Sequence, residues 1–220
     1  MLQVITEWNP CAEGECKAPD ERDAWAAADL AQSVLVHATR GVTVSAPYPL
    51  CAVNQDWGLL STAAGAATGT LTWRPQAYGF QMMSDVLHDT PHAWRVHLPP
   101  VVQRGPPTGT GAERAAVADD KHAAAGFASA DHARVNIVYV ARMADRSARD
   151  HAISVRVGGL QPNASYSARA FVINETVNYE LLGEPHKLTV GASGSLAWPD
   201  TLQAASPSVL RISFSRSEIA

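Results

Sequence analysis

The sequence predicts an α/β segment followed by an all-β segment, and three observations carry that prediction. Over residues 1 to about 90, short apolar runs alternate with stretches whose apolar residues recur every three or four positions, the pattern of strands and amphipathic helices. From about residue 93 the apolar period changes to two. Clusters of Gly, Pro, Asn, Asp and Ser separate these later runs, and no helical pattern intervenes. The second segment is therefore expected to be an antiparallel β-sandwich.

The first element is a short apolar run that begins at Leu2 and ends in Glu7, Trp8 and Asn9. Such a run indicates a buried parallel strand. A carboxylate, an indole and an amide in succession are groups suited to binding a sugar. At the carboxyl end of a barrel strand, they would lie where barrel enzymes place their catalytic groups.

A helix is predicted to follow this strand. Asp20 has the chemistry of an N-cap, and acidic residues occupy the turn after it. Apolar residues then recur at three- and four-residue steps as far as Ala38. Arg40 and Gly41 supply a cationic last turn and a terminating glycine.

A second strand and a second helix complete the α/β segment. Residues 42–46 begin the strand, and the prolines that follow predict an irregular far end. Residues 61–72 are rich in Ala, Gly and Thr and are predicted to form a mobile loop. The helix is predicted to start at Arg74 with Pro75 in its first turn and to end before Pro91.

Short alternating runs fill the second segment. The candidate strands are residues 94–98, 135–143, 152–157, 166–173, 186–190 and 209–214. Residues 103–121 are expected to form a flexible insertion, because a closed loop of that length is uncommon in a compact fold. The predicted division is therefore into residues 1–90 and residues 91–220.

Composition excludes several classes of protein. With 46% hydrophobic and 17% charged residues, the chain has ample apolar side chains for a buried core. A net charge of −4 without a basic run argues against nucleic acid or an anionic membrane surface as partner. No apolar stretch approaches the roughly 20 residues of a membrane span. An export signal, if there is one, lies upstream, so the sequence does not indicate the compartment. It does not indicate the oligomeric state either.

Three cysteines do not indicate a disulfide scaffold. Cys11 and Cys16 bracket a short loop and could close on each other. Cys51 lies in an apolar strand and is expected to be a small core residue.

The sequence predicts neither a metal site nor a cofactor. His88 and His92 have the spacing of metal ligands on a helix, but Pro91 breaks the helix between them and no third ligand follows. The glycine-rich run in the insertion lacks the lysine of a phosphate-binding loop.

The order of these elements resembles the C-terminal part of a retaining glycoside hydrolase with a (β/α)8 barrel. The residues that carry the resemblance are Ile5-Thr6-Glu7-Trp8-Asn9, a strand exit at Asp56-Trp57-Gly58-Leu59-Leu60, and a helix that begins Arg-Pro-x-x-Tyr-Gly-Phe. The family 39 group of β-xylosidases and α-L-iduronidases is the first match, and the family 51 α-L-arabinofuranosidases are the second. The resemblance implies that residues 1–90 hold the last two βα units of the barrel, from strand 7 to helix 8.

In those families the catalytic nucleophile is a glutamate at the end of the seventh barrel strand, which corresponds to Glu7. Retaining glycosidases use two carboxyl groups about 5–5.5 Å apart, one as nucleophile and one as acid/base. The family acid/base lies at the fourth strand, outside this chain. The Asn174-Glu175 pair falls in the sandwich pattern and is not given that role. The resemblance implies action on β-xylosides or related glycosides.

The remaining candidate site residues are Trp8, Asn9, Asn54, Asp56 and Trp57. The two tryptophans could stack on sugar rings or belong to a core. Asn54 and Asp56 could bind sugar hydroxyls or cap a turn, and for Asp56 the turn is favoured.

Two further expectations follow from the resemblance. Two parallel strands cannot close a barrel, so the chain alone is expected to be inactive and to associate through an unpaired strand edge.

The alternative function is a non-enzymatic carbohydrate-binding or interaction module in which residues 93–220 form the working domain.

Overall fold

The computed structural model describes residues 4–8, 24–40, 44–47, 60–62, 71–94, 96, 122–141 and 150–217. Within these ranges the chain forms two helices and fifteen strands. In chain order they are β1 (Val4–Trp8), α1 (Ala24–Thr39), β2 (Val44–Pro47), β3 (Leu60–Thr62), β4 (Leu71–Trp73), α2 (Pro75–Asp89), β5 (His92–Trp94), β6 (Ala123–Ala128), β7 (Arg134–Ala141), β8 (Asp150–Ile153), β9 (Arg156–Val157), β10 (Ser165–Ile173), β11 (Asn178–Leu181), β12 (His186–Thr189), β13 (Leu196–Ala197), β14 (Leu202–Ala205) and β15 (Ser208–Arg216).

β1 and β2 pair in parallel; α1 follows β1 directly, and α2 follows β2 after the strands β3 and β4. Val4 lies opposite Val44, and Trp8 lies opposite Pro47 after a shift in register. The predicted order of strand, helix, strand and helix is therefore confirmed, except that two short strands intervene before the second helix.

The prediction of a mobile loop at residues 61–72 was wrong at both of its ends. β3 and β4 form an antiparallel hairpin in which Ser61 lies opposite Thr72 and Thr62 lies opposite Leu71. Threonine and leucine at these positions suit paired strands, whereas the Ala and Gly between them dominate the composition of the stretch. Residues 63–70 lie outside the described residues.

α2 confirms the boundaries predicted for the second helix. Pro75 occupies its first turn, where a missing N–H costs nothing. At the other end, the N–H and the hydroxyl of Thr90 both donate to the carbonyl oxygen of Val86 and close the last turn. Pro91 follows and stops the helix.

The two helices approach each other closely. Ala27, Ala28 and Ala31 of α1 are fully buried, and α1 and α2 are in extensive contact. A Cβ at Gly79 of α2 would lie only 2.8 Å from the carbonyl oxygen of Ala27, so the absent side chain sets the distance between the helices. Neither helix is long and apolar enough to cross a membrane.

The strands from β5 onward are antiparallel wherever they pair. The main sheet has the order β11-β10-β15-β7-β6-β5, with β12 also beside β10. The short pairs β8 with β14 and β9 with β13 provide further strands. β5 begins two residues before the predicted strand at 94–98 and includes its first residue, whereas residues 95, 97 and 98 lie outside the described residues. The predicted strand at 152–157 is divided into β8 and β9.

The main sheet separates two cores. On one face it packs against the helices, where Val138, Val140 and Val209 join the buried residues of α1 and α2. On the other face it forms the sandwich core, where Phe214 lies edge-on to Trp198 at a centroid distance of 6.4 Å. Strand alternation makes this possible, because neighbouring residues of one strand point to opposite faces.

Several predictions fall outside the described residues. They concern the insertion at 103–121, the N-cap at Asp20, and the three cysteines Cys11, Cys16 and Cys51.

Candidate functional site

Glu7, the predicted nucleophile, is the penultimate residue of β1. Because β1 and β2 are parallel, their carboxyl ends lie at the same edge. Trp8 lies opposite Pro47, so the backbone of Glu7 is next to the end of β2. The carboxyl ends of adjacent parallel strands are the place where α/β enzymes bind their ligands. The backbone of Glu7 and Trp8 therefore reaches such an edge.

The other four predicted site residues are not among the described residues. They are Asn9, Asn54, Asp56 and Trp57. Their proximity to Glu7 stays a prediction from the sequence.

Asn174 and Glu175 form the turn that joins β10 to β11. The side-chain oxygen of Asn174 accepts hydrogen bonds of 2.9 Å from the N–H groups of both Thr176 and Val177. This bonding closes an Asx turn, the usual role of an asparagine in a tight connection. The pair is thus part of a hairpin, in the segment where the sequence placed it.

In the described ranges, no three His, Cys, Asp or Glu side chains lie together so that they could hold a metal ion. His88 is in the last turn of α2, whereas His92 begins β5 beyond Pro91.

A buried arginine joins α2 to the main sheet. The side chain of Arg211 in β15 is only 8% exposed, although it carries a charge. Its Nε donates to Asn136 Oδ1 at 2.9 Å, and its Nη1 donates to the Tyr179 hydroxyl at 2.6 Å. Its guanidinium also lies 3.4 Å from Asp89 and 3.6 Å from Asp85, both on α2. A buried charge is tolerable only when partners of this kind surround it.

Tyr179 reaches this cluster because the backbone bulges. Asn178 lies opposite Ile173 and Glu180 lies opposite Val172, so Tyr179 is an extra residue in β11. Its φ of 60° is a left-handed conformation that is unfavourable for a bulky side chain. Bulges reorient side chains, and here the phenol donates a 2.6 Å hydrogen bond to Asp85 Oδ2. Burial, followed by this hydrogen bond, raises the pKa of Tyr179 to about 12.

Next to the end of α2, the helix-facing side of the sheet forms a polar groove of about 850 Å³. We call it the Arg169 groove. The charged residues that line it are Asp89, Asp131, Arg134, Arg169, Arg211 and Arg216. The N–H of Ala133 and the hydroxyl of Ser129 hold the pKa of Asp131 below its ordinary value.

The sequence reasoning missed both the Arg211 cluster and the Arg169 groove. One signal was available, because β15 places Arg211, Ser213 and Ser215 at alternate positions and β10 does the same with Ser167 and Arg169. Polar residues at every second position mark one face of a strand. The sequence did not indicate that these faces are adjacent, since the pairing of β10 with β15 joins distant parts of the chain.

No family model and no curated protein matches this chain. Several solved structures match it. A glucosidase from Croceicoccus marinus matches with a TM-score of 0.60 and 14% identity over 99% of this chain and 47% of that chain. An α-L-arabinofuranosidase from Thermotoga maritima matches with a TM-score of 0.57 and 14% identity over 96% of this chain and 42% of that chain.

A GH51 α-L-arabinofuranosidase from Thermotoga petrophila matches with a TM-score of 0.55 and 13% identity over 96% of this chain and 42% of that chain. The chain thus spans less than half the length of these enzymes. Identities this low show the fold alone. A family 51 enzyme is among the matches, whereas the resemblance to family 39 stays a prediction. The chain, a mostly antiparallel sheet with two helices, therefore shares its fold with part of several solved glycoside hydrolases.

Proposed function

We propose that this chain supplies the nucleophile side of the active site of a retaining O-glycoside hydrolase. The observation that carries the proposal is the parallel pairing of β1 with β2, which brings Glu7 to a carboxyl edge. The fold shared with glycoside hydrolases supports it. In this proposal β1 and β2 are strands 7 and 8 of a (β/α)8 barrel, and α1 and α2 are helices 7 and 8.

The proposed reaction is a double displacement. An ionised Glu7 attacks the anomeric carbon and forms a glycosyl-enzyme, while the bond to the leaving oxygen breaks and that oxygen receives a proton from the acid/base. Water then attacks the same carbon, the acid/base accepts its proton, and Glu7 is released. In this proposal the acid/base comes from residues outside these 220, and the substrate is a β-xyloside or a related glycoside.

The other predicted residues would hold the sugar. Trp8 and Trp57 would stack on its rings, because an indole presents a large apolar face. Asn9, Asn54 and Asp56 would form hydrogen bonds with its hydroxyl groups.

The sandwich would hold the barrel end in place. α2 makes both apolar contacts with α1 and polar contacts with the main sheet, through Asp85 and Asp89. Helix 8 is the last helix of the proposed barrel, and no barrel strand follows it. Residues 91–220 would therefore hold this helix in place.

Covalent trapping with an activated, fluorinated xyloside tests the nucleophile. A good leaving group departs without a proton, so labelling reports on the nucleophile and not on the acid/base. The protein should contain this chain together with the other barrel units. Mass spectrometry is expected to find the sugar on the peptide that contains Glu7, and Glu7→Gln is expected to abolish both labelling and turnover.

The matched control is Glu175→Gln, which removes an exposed carboxylate from the β10–β11 turn. It is expected to label and turn over like the parent protein. A label on another residue, or wild-type turnover by Glu7→Gln, would show that the assignment is wrong.

The alternative, a non-enzymatic carbohydrate-binding module, has one observation in its favour. The Arg169 groove lies on the main sheet, within residues 93–220 apart from Asp89 at its rim. Binding of saccharide by the chain, combined with no labelling of Glu7 in a complete barrel, would favour this alternative.

A further inference from the structure

The floor of the Arg169 groove is a grid of side chains from three neighbouring strands, β10, β15 and β7. Residues that lie opposite each other in paired strands point to the same face. One row of the grid holds Ser167, Ser215 and Arg134, and the next holds Arg169, Ser213 and Asn136. Hydroxyl, guanidinium and amide groups thus recur across a single polar surface.

The groove has an excess of positive charge, although the whole chain has a net charge of −4. Four arginines and two aspartates line it, and Asp85 lies 3.6 Å from one of the four, the buried Arg211, so the excess is a single positive charge. Arg134 pairs with Asp89 at 3.0 Å, and Arg216 pairs with Asp131 at 3.4 Å. Arg169 is exposed and makes no hydrogen bond or ion pair with any residue that the structure describes. A concave surface with this charge attracts anions.

The neighbours of Arg169 add a second kind of recognition. The hydroxyls of Ser167, Ser213 and Ser215 form no hydrogen bond within the described part of the chain. A serine hydroxyl can both donate and accept, as can the hydroxyl of a sugar. A guanidinium presents a planar pair of donors that matches a carboxylate. The volume of about 850 Å³ also falls in the range of small-molecule sites.

We propose that the Arg169 groove binds an acidic saccharide, with Arg169 holding a uronate carboxylate and the serines contacting sugar hydroxyls. The anionic part of this proposal stands on the groove itself. The saccharide part rests on the proposed function. The site is separate from Glu7, since it lies on the antiparallel sheet and not at the ends of β1 and β2.

Calorimetry on the full 220-residue chain tests the proposal, with hexagalacturonate as the probe. Binding is expected at low salt and is expected to weaken as salt is added, because the interaction is between charges near the surface. Arg169→Gln should weaken binding by about tenfold, since it removes a charge-assisted hydrogen bond. Arg169→Lys keeps the charge without the planar pair of donors, so its affinity should lie between those of the parent chain and Arg169→Gln.

Two variants serve as controls. Arg156→Gln removes an exposed arginine from β9, outside the main sheet, and should bind like the parent chain. Glu7→Gln should also bind normally, so the groove can be tested whether or not Glu7 proves to be the nucleophile.

Two further probes decide what is recognised. Neutral xylohexaose is expected to bind much more weakly than hexagalacturonate, and equal binding would overturn the role of the carboxylate. Hexaglutamate carries the same charges on a peptide, and equal binding would overturn recognition of a saccharide. Absence of hexagalacturonate binding, or no effect of Arg169→Gln, would overturn the whole proposal.

Discussion

The hydroxyl of Tyr179 donates to Asp85 Oδ2 at 2.6 Å, which joins the edge strand β11 to the C-terminal half of α2. The same hydroxyl accepts a hydrogen bond from Arg211. One phenol thus links a strand, a helix and a buried cation. Its position depends on an unfavourable backbone conformation, which the surrounding contacts must stabilise.

Tyr179→Phe is expected to lower the free energy of unfolding by about 2 kcal/mol, because Asp85 and Arg211 both lose a partner. Urea unfolding at neutral pH measures this loss. Tyr78→Phe is the matched control, since the Tyr78 hydroxyl forms no hydrogen bond with described residues. Equal losses in the two variants would contradict the role of the Tyr179 hydroxyl.

Tyr179 also gives the stability a dependence on alkaline pH. Its pKa is raised from 10.0 in the ordinary phenol to about 12 in the folded chain. The neutral phenol is therefore favoured by folding, and its contribution is complete below pH 10 and lost as the pH rises through 12. Between pH 10 and 12, the free energy of unfolding should fall less steeply with pH for Tyr179→Phe than for the parent chain. Identical slopes would show that Tyr179 ionises as freely in the folded state as in the unfolded state.

Arg211→Met is expected to cost about 2 kcal/mol of stability. The side chain is buried, and its removal leaves Asn136 Oδ1 and Asp89 Oδ2 without the donor that Arg211 supplies, although Asp89 Oδ1 keeps its bond from Arg134. The cost is limited because Asp85 and Asp89 are partly exposed and can be hydrated. Arg134→Met is the control, since its side chain is 59% exposed and its pairing with Asp89 should contribute less than about 1 kcal/mol. Chemical unfolding measures the free energy of unfolding of both variants. An equal loss of stability in the two would contradict the larger role given to Arg211.

Gly79→Ala is expected to destabilise the chain, by about 1–2 kcal/mol, although alanine favours helices. The added methyl would press on the backbone of Ala27, which cannot move aside as a flexible side chain would. Gly158→Ala is the matched control because nothing lies within 4 Å of its added Cβ. Thermal unfolding should separate the two variants. A gain in stability at Gly79 would show that α1 and α2 can separate at little cost.

Expressed alone, the 220 residues are expected to show no turnover of aryl xylosides or arabinofuranosides and to associate. In the proposed mechanism the acid/base is supplied from elsewhere, and in the described part of the chain β1 and β2 pair only with each other. Strand edges without partners favour association. Light scattering and an activity assay test the two halves of the prediction. A stable monomer that turns over substrate would contradict it.

Part of the fold was readable from local chemistry. Pro75 and Pro91 delimit α2 because proline restricts its own backbone and donates no N–H, wherever it occurs. Long runs in which apolar residues alternate predicted the ends of β10 and β15 to within two residues. β6 was not predicted, since its sequence Ala-Ala-Ala-Gly-Phe-Ala has weak strand propensity and it becomes a strand through pairing with β5 and β7.

For the candidate site, local sequence patterns were enough to predict that Glu7 lies near the end of an apolar strand and that a period of two begins near residue 93. These are local facts, because backbone geometry fixes which neighbours share a face. Three relationships depend on the packing of the folded chain: β1 lies parallel to β2, Tyr179 bulges towards Asp85, and Arg169 shares a groove with Arg134. Each of these relationships joins residues that are far apart in the chain, and their formation depends on the packing of whole strands and helices against one another.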